Sequence, residues 1–136
     1  DFITHKIDEK FDCILIDAPC SASGLIQKKP EMLVTKKNIN DLKTKQKLML
    51  ERASKLLKDG GYLIYCVCSI IYSEGEEQIQ TFLQNFKNFS LINCFSSIKS
   101  FGIVNNNPPC FFITPDFITE NGGIDGFFIA CLKKNY

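Results

Sequence analysis

A chain of 136 residues with a net charge of +1 has room for one domain and a substantial apolar core. Its 45% hydrophobic and 23% charged residues are typical of a globular protein, which excludes a disordered chain. The chain contains no apolar run of roughly eighteen residues, which excludes a membrane span, and its near-neutral charge gives no global attraction to nucleic acid.

The cysteines indicate a reduced, cytoplasmic protein. There are seven of them, an odd number without a framework spacing, which is not the pattern of a disulfide scaffold. Cys66 and Cys68 are one residue apart rather than two, and the single histidine is His5, so we expect no metal site. The sequence starts at Asp1 without a secretory signal, and we interpret it as a piece of a longer polypeptide.

Two apolar runs predict strands that each lead to a cysteine. The first, from Phe11 to Ile16, does not alternate with polar residues, which favours a parallel strand covered on both faces. A loop is expected from Ala18 to Pro30. The second run, from Tyr62 to Tyr65, continues into Cys66-Val67-Cys68-Ser69.

Residues 38–58 between these runs predict an amphipathic helix. Its stripe consists of Ile39, Leu42, Gln46 (polar, but in register), Met49, Leu50, Ala53, Leu56 and Leu57. Gly60-Gly61 is predicted to end the helix. Residues 28–59 carry ten basic against four acidic side chains. We interpret this excess as a solvated helix face, with an RNA-facing patch as the alternative.

A second helix and two further strands are predicted downstream. Residues 73–76 read Ser-Glu-Gly-Glu, which resembles a capping box with Ser73 as the cap. The apolar side of the following helix consists of Ile79, Phe82, Leu83 and Phe86. Residues 89–95 and 125–133 predict strands, and most of 96–123, which contains Asn105 to Pro109, is expected to be a long loop.

The alternation of strands and helices predicts an α/β fold, an open sheet with helices on its faces. The last two strands have no helix between them and should be antiparallel. Parallel strands joined through a helix place their carboxyl ends side by side. We therefore expect Cys20 and Cys68, which follow the first two strands, to face one pocket.

Three motifs stand in the order and at the spacing of a known family: Asp17-Ala18-Pro19-Cys20-Ser21-Ala22-Ser23-Gly24, Tyr65-Cys66-Val67-Cys68-Ser69 and Asp125-Gly126-Phe127-Phe128. They resemble the D-A-P-C-S-x-x-G, Y-x-T-C-S and D-G-F-F motifs of the RsmB/Sun family of RNA (cytosine-5) methyltransferases. The resemblance covers nearly the whole chain and is strongest to the bacterial 16S ribosomal RNA enzymes. Val67 stands where the family has threonine, which removes one hydroxyl.

The resemblance implies a partial Rossmann-like class I methyltransferase fold. Residues 1–136 would be the C-terminal part of the catalytic domain, strands four to seven, mostly parallel with an antiparallel last strand. The upstream half that binds S-adenosylmethionine would be missing. The first predicted strand would then be an unpaired apolar edge, and we expect the isolated chain to bind the cofactor weakly or not at all.

The resemblance also implies an activity, S-adenosylmethionine-dependent methylation of carbon 5 of cytosine in RNA, with ribosomal RNA favoured over transfer RNA. It assigns Cys68 as the nucleophile and Cys20 to product release. Asp17 would lie close to the cofactor and, with Pro19 and Ser21, would contact the substrate. Thiolate chemistry suits the reaction, because carbon 5 of cytosine is a poor nucleophile until a thiolate adds at carbon 6. We expect a monomer in the full-length protein.

Other interpretations give these residues simpler roles. We expect Cys13, Cys66, Cys94 and Cys131 to be core residues, leave Cys110 undetermined, and interpret Asp125 as a turn residue. A non-enzymatic alternative is a truncated remnant whose basic helix contacts RNA. A nucleotide hydrolase would need a P-loop, and an amino-methyltransferase would carry an aromatic residue where Cys20 stands.

Overall fold

A computed structural model describes residues 2–34, 38–93, 103–106, 109–116, 120 and 122–136. Its strands and helices are β1 (Phe11–Asp17), α1 (Ile39–Leu56), β2 (Leu57–Val67), α2 (Glu76–Asn85), β3 (Phe89–Leu91), β4 (Ile103–Asn106), β5 (Pro109–Ile113) and β6 (Phe127–Lys134). Short 3-10 turns occur at Ser23–Leu25, Pro30–Leu33 and Tyr72–Glu74. None of the described helices is long and apolar enough to cross a membrane.

The strands form one sheet in the order β1-β2-β6-β5-β4, and β3 pairs with β6 beyond the end of β5. β1 and β2 are parallel, whereas β2, β3 and β5 are each antiparallel to β6. Four strands (β1, β2, β3 and β5) therefore run in one direction, and β4 and the last strand, β6, run against them. The predicted α/β fold with an antiparallel last strand is confirmed.

The prediction of a long loop over residues 96–123 is wrong in part. β4 and β5 pair as an antiparallel hairpin, and β5 extends the sheet by pairing with β6. Asn105 and Asn106 belong to β4, although asparagine and proline usually mark turns. Buried Cys110 and Phe111 anchor β5 in the sheet, and this burial outweighs the turn-forming composition. Residues 94 and 95 of the predicted third strand lie outside the described residues.

The ends of α1 differ from the prediction on one side only. Asn38 caps the helix, since its side chain accepts hydrogen bonds from the backbone N–H groups of Asn40 and Asp41. The helix ends at Leu56, so Gly60-Gly61 does not end it. These glycines lie inside β2, where Gly60 has a φ of 79° and the pairing with β1 is interrupted.

The predicted capping box is wrong. Ser73 and Glu74 lie in the 3-10 turn before α2, and the N-cap of α2 is Gly75, which has no side chain to cap with. A Cβ on Gly75 would lie 2.8 Å from the ring of Phe128, so this turn passes close against β6. Glu74, between the predicted cap and Gly75, is fully buried.

Both helices pack on one face of the sheet rather than on both. Their predicted stripes are confirmed, since Leu50 and Ala53 of α1 and Ile79 and Phe82 of α2 join one buried cluster with the strands. The opposite face holds a smaller cluster built around Phe111 and Cys131. Cys20 belongs to the same cluster, so the helices cover the face of the sheet toward which this thiol packs.

β1 is the edge strand of the described sheet, and only one of its faces is buried. Ile16 is 2% exposed, whereas Leu15 is 63% exposed and Cys13 is also exposed. The prediction of a strand covered on both faces is therefore wrong for this chain, as is the prediction of Cys13 as a core residue. An apolar run without alternation shows that both faces of a strand could be buried, but both helices among the described residues lie on the other face of the sheet.

Candidate active site

The thiols of Cys20 and Cys68 meet beyond the carboxyl ends of β1 and β2. Backbone pairing continues past the strands, because the N–H of Ala18 donates to the carbonyl of Cys66 at 3.0 Å. Further on, the N–H of Gly24 donates to the carbonyl of Cys68 at 3.1 Å. The two sulfur atoms lie 3.4 Å apart, which confirms the expectation that the two thiols face one another.

The two thiols differ in environment. Cys20 is 7% exposed, and burial raises the pKa of its thiol to about 12. Cys68 is only half-buried. The Cys20 sulfur therefore keeps its proton at neutral pH and can donate it in a hydrogen bond to Cys68 Sγ, while Cys68 is the thiol that a reagent can reach.

The three residues predicted to bind cofactor or substrate occupy different positions. Asp17 is exposed at the end of β1, with Oδ1 3.9 Å from Cys66 Sγ. Pro19 is also exposed, and its carbonyl accepts a hydrogen bond from Gln46 at 3.0 Å. Ser21 turns its hydroxyl inward to the carboxylate of Glu74. The structure thus leaves Asp17 and Pro19 open beside the thiols and engages Ser21 in a buried network.

The remaining cysteines lie outside this pair. Cys66 is buried as predicted, and its burial raises the pKa of the thiol to about 11. Cys131 is buried as predicted, and Cys110, which was left undetermined, is also buried, with a pKa raised by burial to about 12. Cys94 lies outside the described residues. Among the described side chains, no group of three potential metal ligands is present.

Sequence reasoning missed a buried polar network beside the thiols. Its members are Gln46, Ser69, Glu74 and Gln78, each at most 7% exposed. Glu74 accepts hydrogen bonds from Ser21, Gln46 and Ser69. A signal was present, because Gln46 occupies a core position in the apolar stripe of α1, and a buried amide needs polar partners.

The glycines of two motifs touch. The N–H of Gly126 donates to the carbonyl of Gly24 at 2.8 Å. A Cβ on Gly24 would lie 2.1 Å from the carbonyl oxygen of Gly126. Asp125 forms an ion pair with Lys28 at 2.9 Å rather than a turn. The start of β6 therefore braces the loop that carries Cys20.

Comparison with known families agrees with this geometry. The family model of the 16S rRNA methyltransferases RsmB/F matches residues 2–133. The chain belongs to this family. The resemblance drawn from the three motifs is thereby confirmed, and the contacts between Gly24 and Gly126 give two of those motifs a shared structural role.

Individual relatives cover most of this chain. It is 42% identical over 129 residues to the ribosomal RNA small subunit methyltransferase B of Enterobacter sp. (strain 638), covering 93% of this chain and 27% of that protein. The crystal structure of NSun6 from Pyrococcus horikoshii with SFG has 27% identity and a TM-score of 0.75, covering 96% of this chain and 32% of that one. A methyltransferase homolog protein from Pyrococcus horikoshii has 30% identity and a TM-score of 0.69, covering 93% and 40%. The chain thus spans about a quarter of the length of the curated relative.

Proposed function

We propose that this chain is the C-terminal part of the catalytic domain of an S-adenosylmethionine-dependent enzyme that methylates carbon 5 of cytosine in RNA, with ribosomal RNA as the favoured substrate. The observation that carries the proposal is the 3.4 Å contact between Cys20 Sγ and Cys68 Sγ. Support for the substrate comes from the family and from the small-subunit ribosomal RNA methyltransferases among the relatives. Support for the cofactor comes from a relative solved with SFG, an S-adenosylmethionine analogue.

Cys68 is the nucleophile in this proposal. Its thiolate adds to carbon 6 of the cytosine ring, and the electron pair of the carbon 5–carbon 6 double bond becomes available at carbon 5 for methyl transfer. The half-buried position of Cys68 lets a base reach the sulfur. Cys20 cannot compete for this role at neutral pH, because its raised pKa keeps it a thiol.

Cys20 serves product release. After methyl transfer, carbon 5 still carries its proton, and that proton must leave before the bond between carbon 6 and Cys68 can break. For this step Cys20 first passes its own proton to solvent, and its high pKa then makes the resulting thiolate a strong base. Its sulfur lies next to that of Cys68, where it can receive the proton from carbon 5 as the adduct eliminates.

Asp17 is the residue of this chain best placed to contact the cofactor. Its exposed carboxylate stands at the carboxyl end of β1, the side on which open α/β sheets bind ligands, and it can accept hydrogen bonds from hydroxyl or amino groups. S-adenosylmethionine, when bound there, would supply the methyl group. Pro19 and Ser21 follow on the same loop and would border the cytosine.

The rival view of an RNA-binding remnant has less support. It depends on the lysines of α1 and its surroundings, but several of these are paired. Lys43 binds Glu77 at 2.7 Å, and Lys58 binds Asp12 at 2.9 Å. Such pairs reduce the positive charge that this face can offer to RNA phosphates.

An adduct-trapping assay tests the proposed function. The protein used joins this chain to the preceding part of its catalytic domain, and the substrate is ribosomal RNA containing 5-fluorocytidine together with S-adenosylmethionine. Fluorine at carbon 5 cannot leave as a proton, so the covalent adduct persists. We expect the adduct to be lost on Cys68→Ala and to persist on Cys20→Ala. An adduct that still forms with Cys68→Ala would overturn the assignment.

Cofactor binding tests the division of the catalytic domain. We expect calorimetry to detect weak or no binding of S-adenosylmethionine to the 136-residue chain, since β1 is its edge strand and Asp17 its one assigned contact. Restoring the upstream half should restore binding. Low-micromolar affinity in the short chain would contradict the assignment of residues 1–136 as a partial cofactor site.

A further inference from the structure

Glu74 ends the connection between β2 and α2 that carries Cys68, and its carboxylate lies between that connection and the loop that carries Cys20. It is 0% exposed, and its carboxylate accepts hydrogen bonds from both loops. We infer that Glu74 is a positioning residue that holds these loops together and thereby sets the separation of the Cys20 and Cys68 sulfur atoms. The purpose of that alignment rests on the proposed function, whereas the alignment itself can be measured without it.

Contacts on the first loop hold the residue that follows Cys20. The backbone N–H of Ser21 donates to Glu74 Oε1 at 2.9 Å, and the Ser21 hydroxyl donates to Oε2 at 2.5 Å. Two hydrogen bonds to one residue fix both its position and its orientation. The Cα of Cys20, one peptide bond away, is therefore held as well.

Contacts on the second loop hold the residue that follows Cys68. The hydroxyl of Ser69 donates to Glu74 Oε2 at 2.6 Å and accepts the backbone N–H of Ile71 at 3.1 Å. Because the Ser69 hydroxyl donates its hydrogen bond to Glu74, Ser69 Oγ is the acceptor for the hydroxyl of Ser23, 3.0 Å away. Glu74 Oε2 thus accepts one hydrogen bond from a serine hydroxyl on each of the two thiol loops.

We call Glu74, Ser21, Ser69 and Gln46 the clamp, and Gln46 contributes to it from α1. Its amide Nε2 donates to Glu74 Oε1 at 3.1 Å and to the carbonyl of Pro19 at 3.0 Å. Its Oε1 accepts from Gln78 at 3.3 Å, which fixes the amide orientation. The neighbours of Cys20 on both sides, Pro19 and Ser21, are therefore tied to the same pair of buried side chains.

The hydrogen-bonding capacity of a carboxylate explains why glutamate suits this position. Its two oxygens accept from four donors, whereas the amide of glutamine would present its NH₂ group to two of them. Among the described residues no ion pair to Glu74 is found, so these neutral donors stabilise it. Moving one loop away would leave a buried carboxylate short of partners, which is costly.

Glu74 also supports the fold, so a test must separate alignment from stability. The backbone carbonyl of Glu74 accepts the hydroxyl of Tyr65 at 2.7 Å, a contact that substitution of the side chain leaves possible. A matched variant is Leu132→Ala. Leu132 is 0% exposed in β6 and pairs with Leu63, away from the thiols, so its truncation lowers stability without touching the clamp.

The experiment measures the reduction potential of the Cys20–Cys68 pair in the 136-residue chain. Oxidised glutathione is the probe: its disulfide is reduced to two glutathione thiols while Cys20 and Cys68 lose two electrons and two protons and form one sulfur–sulfur bond. Peptide mapping identifies the bond formed. Aligned thiols close readily because they react at high effective concentration.

We expect Glu74→Ala to lower the equilibrium constant for this disulfide roughly tenfold, with a smaller decrease for Glu74→Gln, and Leu132→Ala to match the parent chain. A parent-like constant in Glu74→Ala would overturn the inference, as would an equal decrease in Leu132→Ala. Should Glu74→Ala fail to fold, Glu74→Gln decides by the same comparison. The assay contains neither RNA nor S-adenosylmethionine, so failure of the proposed function leaves its outcome unchanged.

Discussion

β1 and β2 have similar apolar sequences, and each leads to a thiol of the site. The more exposed strand leads to the more buried thiol, and the more buried strand leads to the more exposed thiol. Leu63, Tyr65 and Val67 of β2 are fully buried, whereas Leu15 of β1 is 63% exposed. The edge strand nevertheless leads to the buried thiol, and the central strand leads to the half-buried one. The position of a strand in the sheet sets the burial of the strand, and the loop that follows sets the burial of the thiol.

The loops explain the reversal. The loop after β1 folds inward because Glu74 and Gln46 hold its backbone, and Gly24 packs against Gly126. After β2, the carbonyl of Cys68 accepts a hydrogen bond from the N–H of Gly24, so this segment lies against the loop that carries Cys20. Four experiments test this contrast between the two strands and their loops.

Gly24→Ala should have the largest effect, because it breaks the packing of the loop after β1. The new Cβ would lie 2.1 Å from the backbone oxygen of Gly126, which no side-chain movement can relieve. We expect the free energy of unfolding in urea to fall by about 3–5 kcal/mol. Gly122→Ala is the control: it meets nothing within 4 Å and should cost about 1–2 kcal/mol, because its φ is 91°. Equal losses for the two variants would contradict the packing argument.

Leu63→Ala compared with Leu15→Ala tests the contrast between the strands themselves. Leu63 is fully buried in β2, so its truncation should lower the free energy of unfolding by about 2–5 kcal/mol. Leu15 is 63% exposed on β1, and its truncation should change that energy by less than about 0.5 kcal/mol. Urea unfolding measures both. A large loss for Leu15→Ala would mean that the outer face of β1 is covered in solution, for example by a second copy of the chain.

Alkaline unfolding tests the burial of Cys20. The unfolded thiol has a pKa near 9.0, while the folded one is raised by burial to about 12, so above pH 9 the unfolded chain releases a proton that the folded chain retains. Stability is therefore lost as the pH rises from 9 toward 12, by about 1.4 kcal/mol per pH unit for this group. The difference in unfolding free energy between Cys20→Ala and the parent should change with pH by this amount. A difference independent of pH over this range would contradict a buried Cys20.

The meeting of the two thiols could be predicted because it follows from chain geometry alone. A helix between two parallel strands places their carboxyl ends together, and the apolar stripe of α1 made that helix visible in the sequence. The family motifs added the identity of the site. These predictions depend on local periodicity and on a general rule of sheet topology.

The predictions that failed depend on contacts distant in sequence. The buried role of Glu74 was missed because its partners, Ser21 and Gln46, lie 53 and 28 residues away. The hairpin of β4 and β5 was missed because burial against β6 overrides the turn-forming tendency of its asparagines and prolines. The exposed face of β1 could not be predicted, because an apolar strand does not show which of its faces a helix will cover.

Lys58→Ala should have the smallest effect on the contrast between β1 and β2. Lys58 of β2 binds both carboxylate oxygens of Asp12 in β1 at 2.9 Å, but the two side chains are 51% and 84% exposed. Solvent and salt screen such a pair, so we expect the free energy of unfolding to fall by about 0.5 kcal/mol or less, and the loss to shrink in high salt. A double-mutant cycle with Asp12→Ala measures the coupling between the two residues. A coupling well above about 1 kcal/mol would mean that this pair, and not the backbone pairing from Cys13 to Asp17, holds the edge strand to its neighbour.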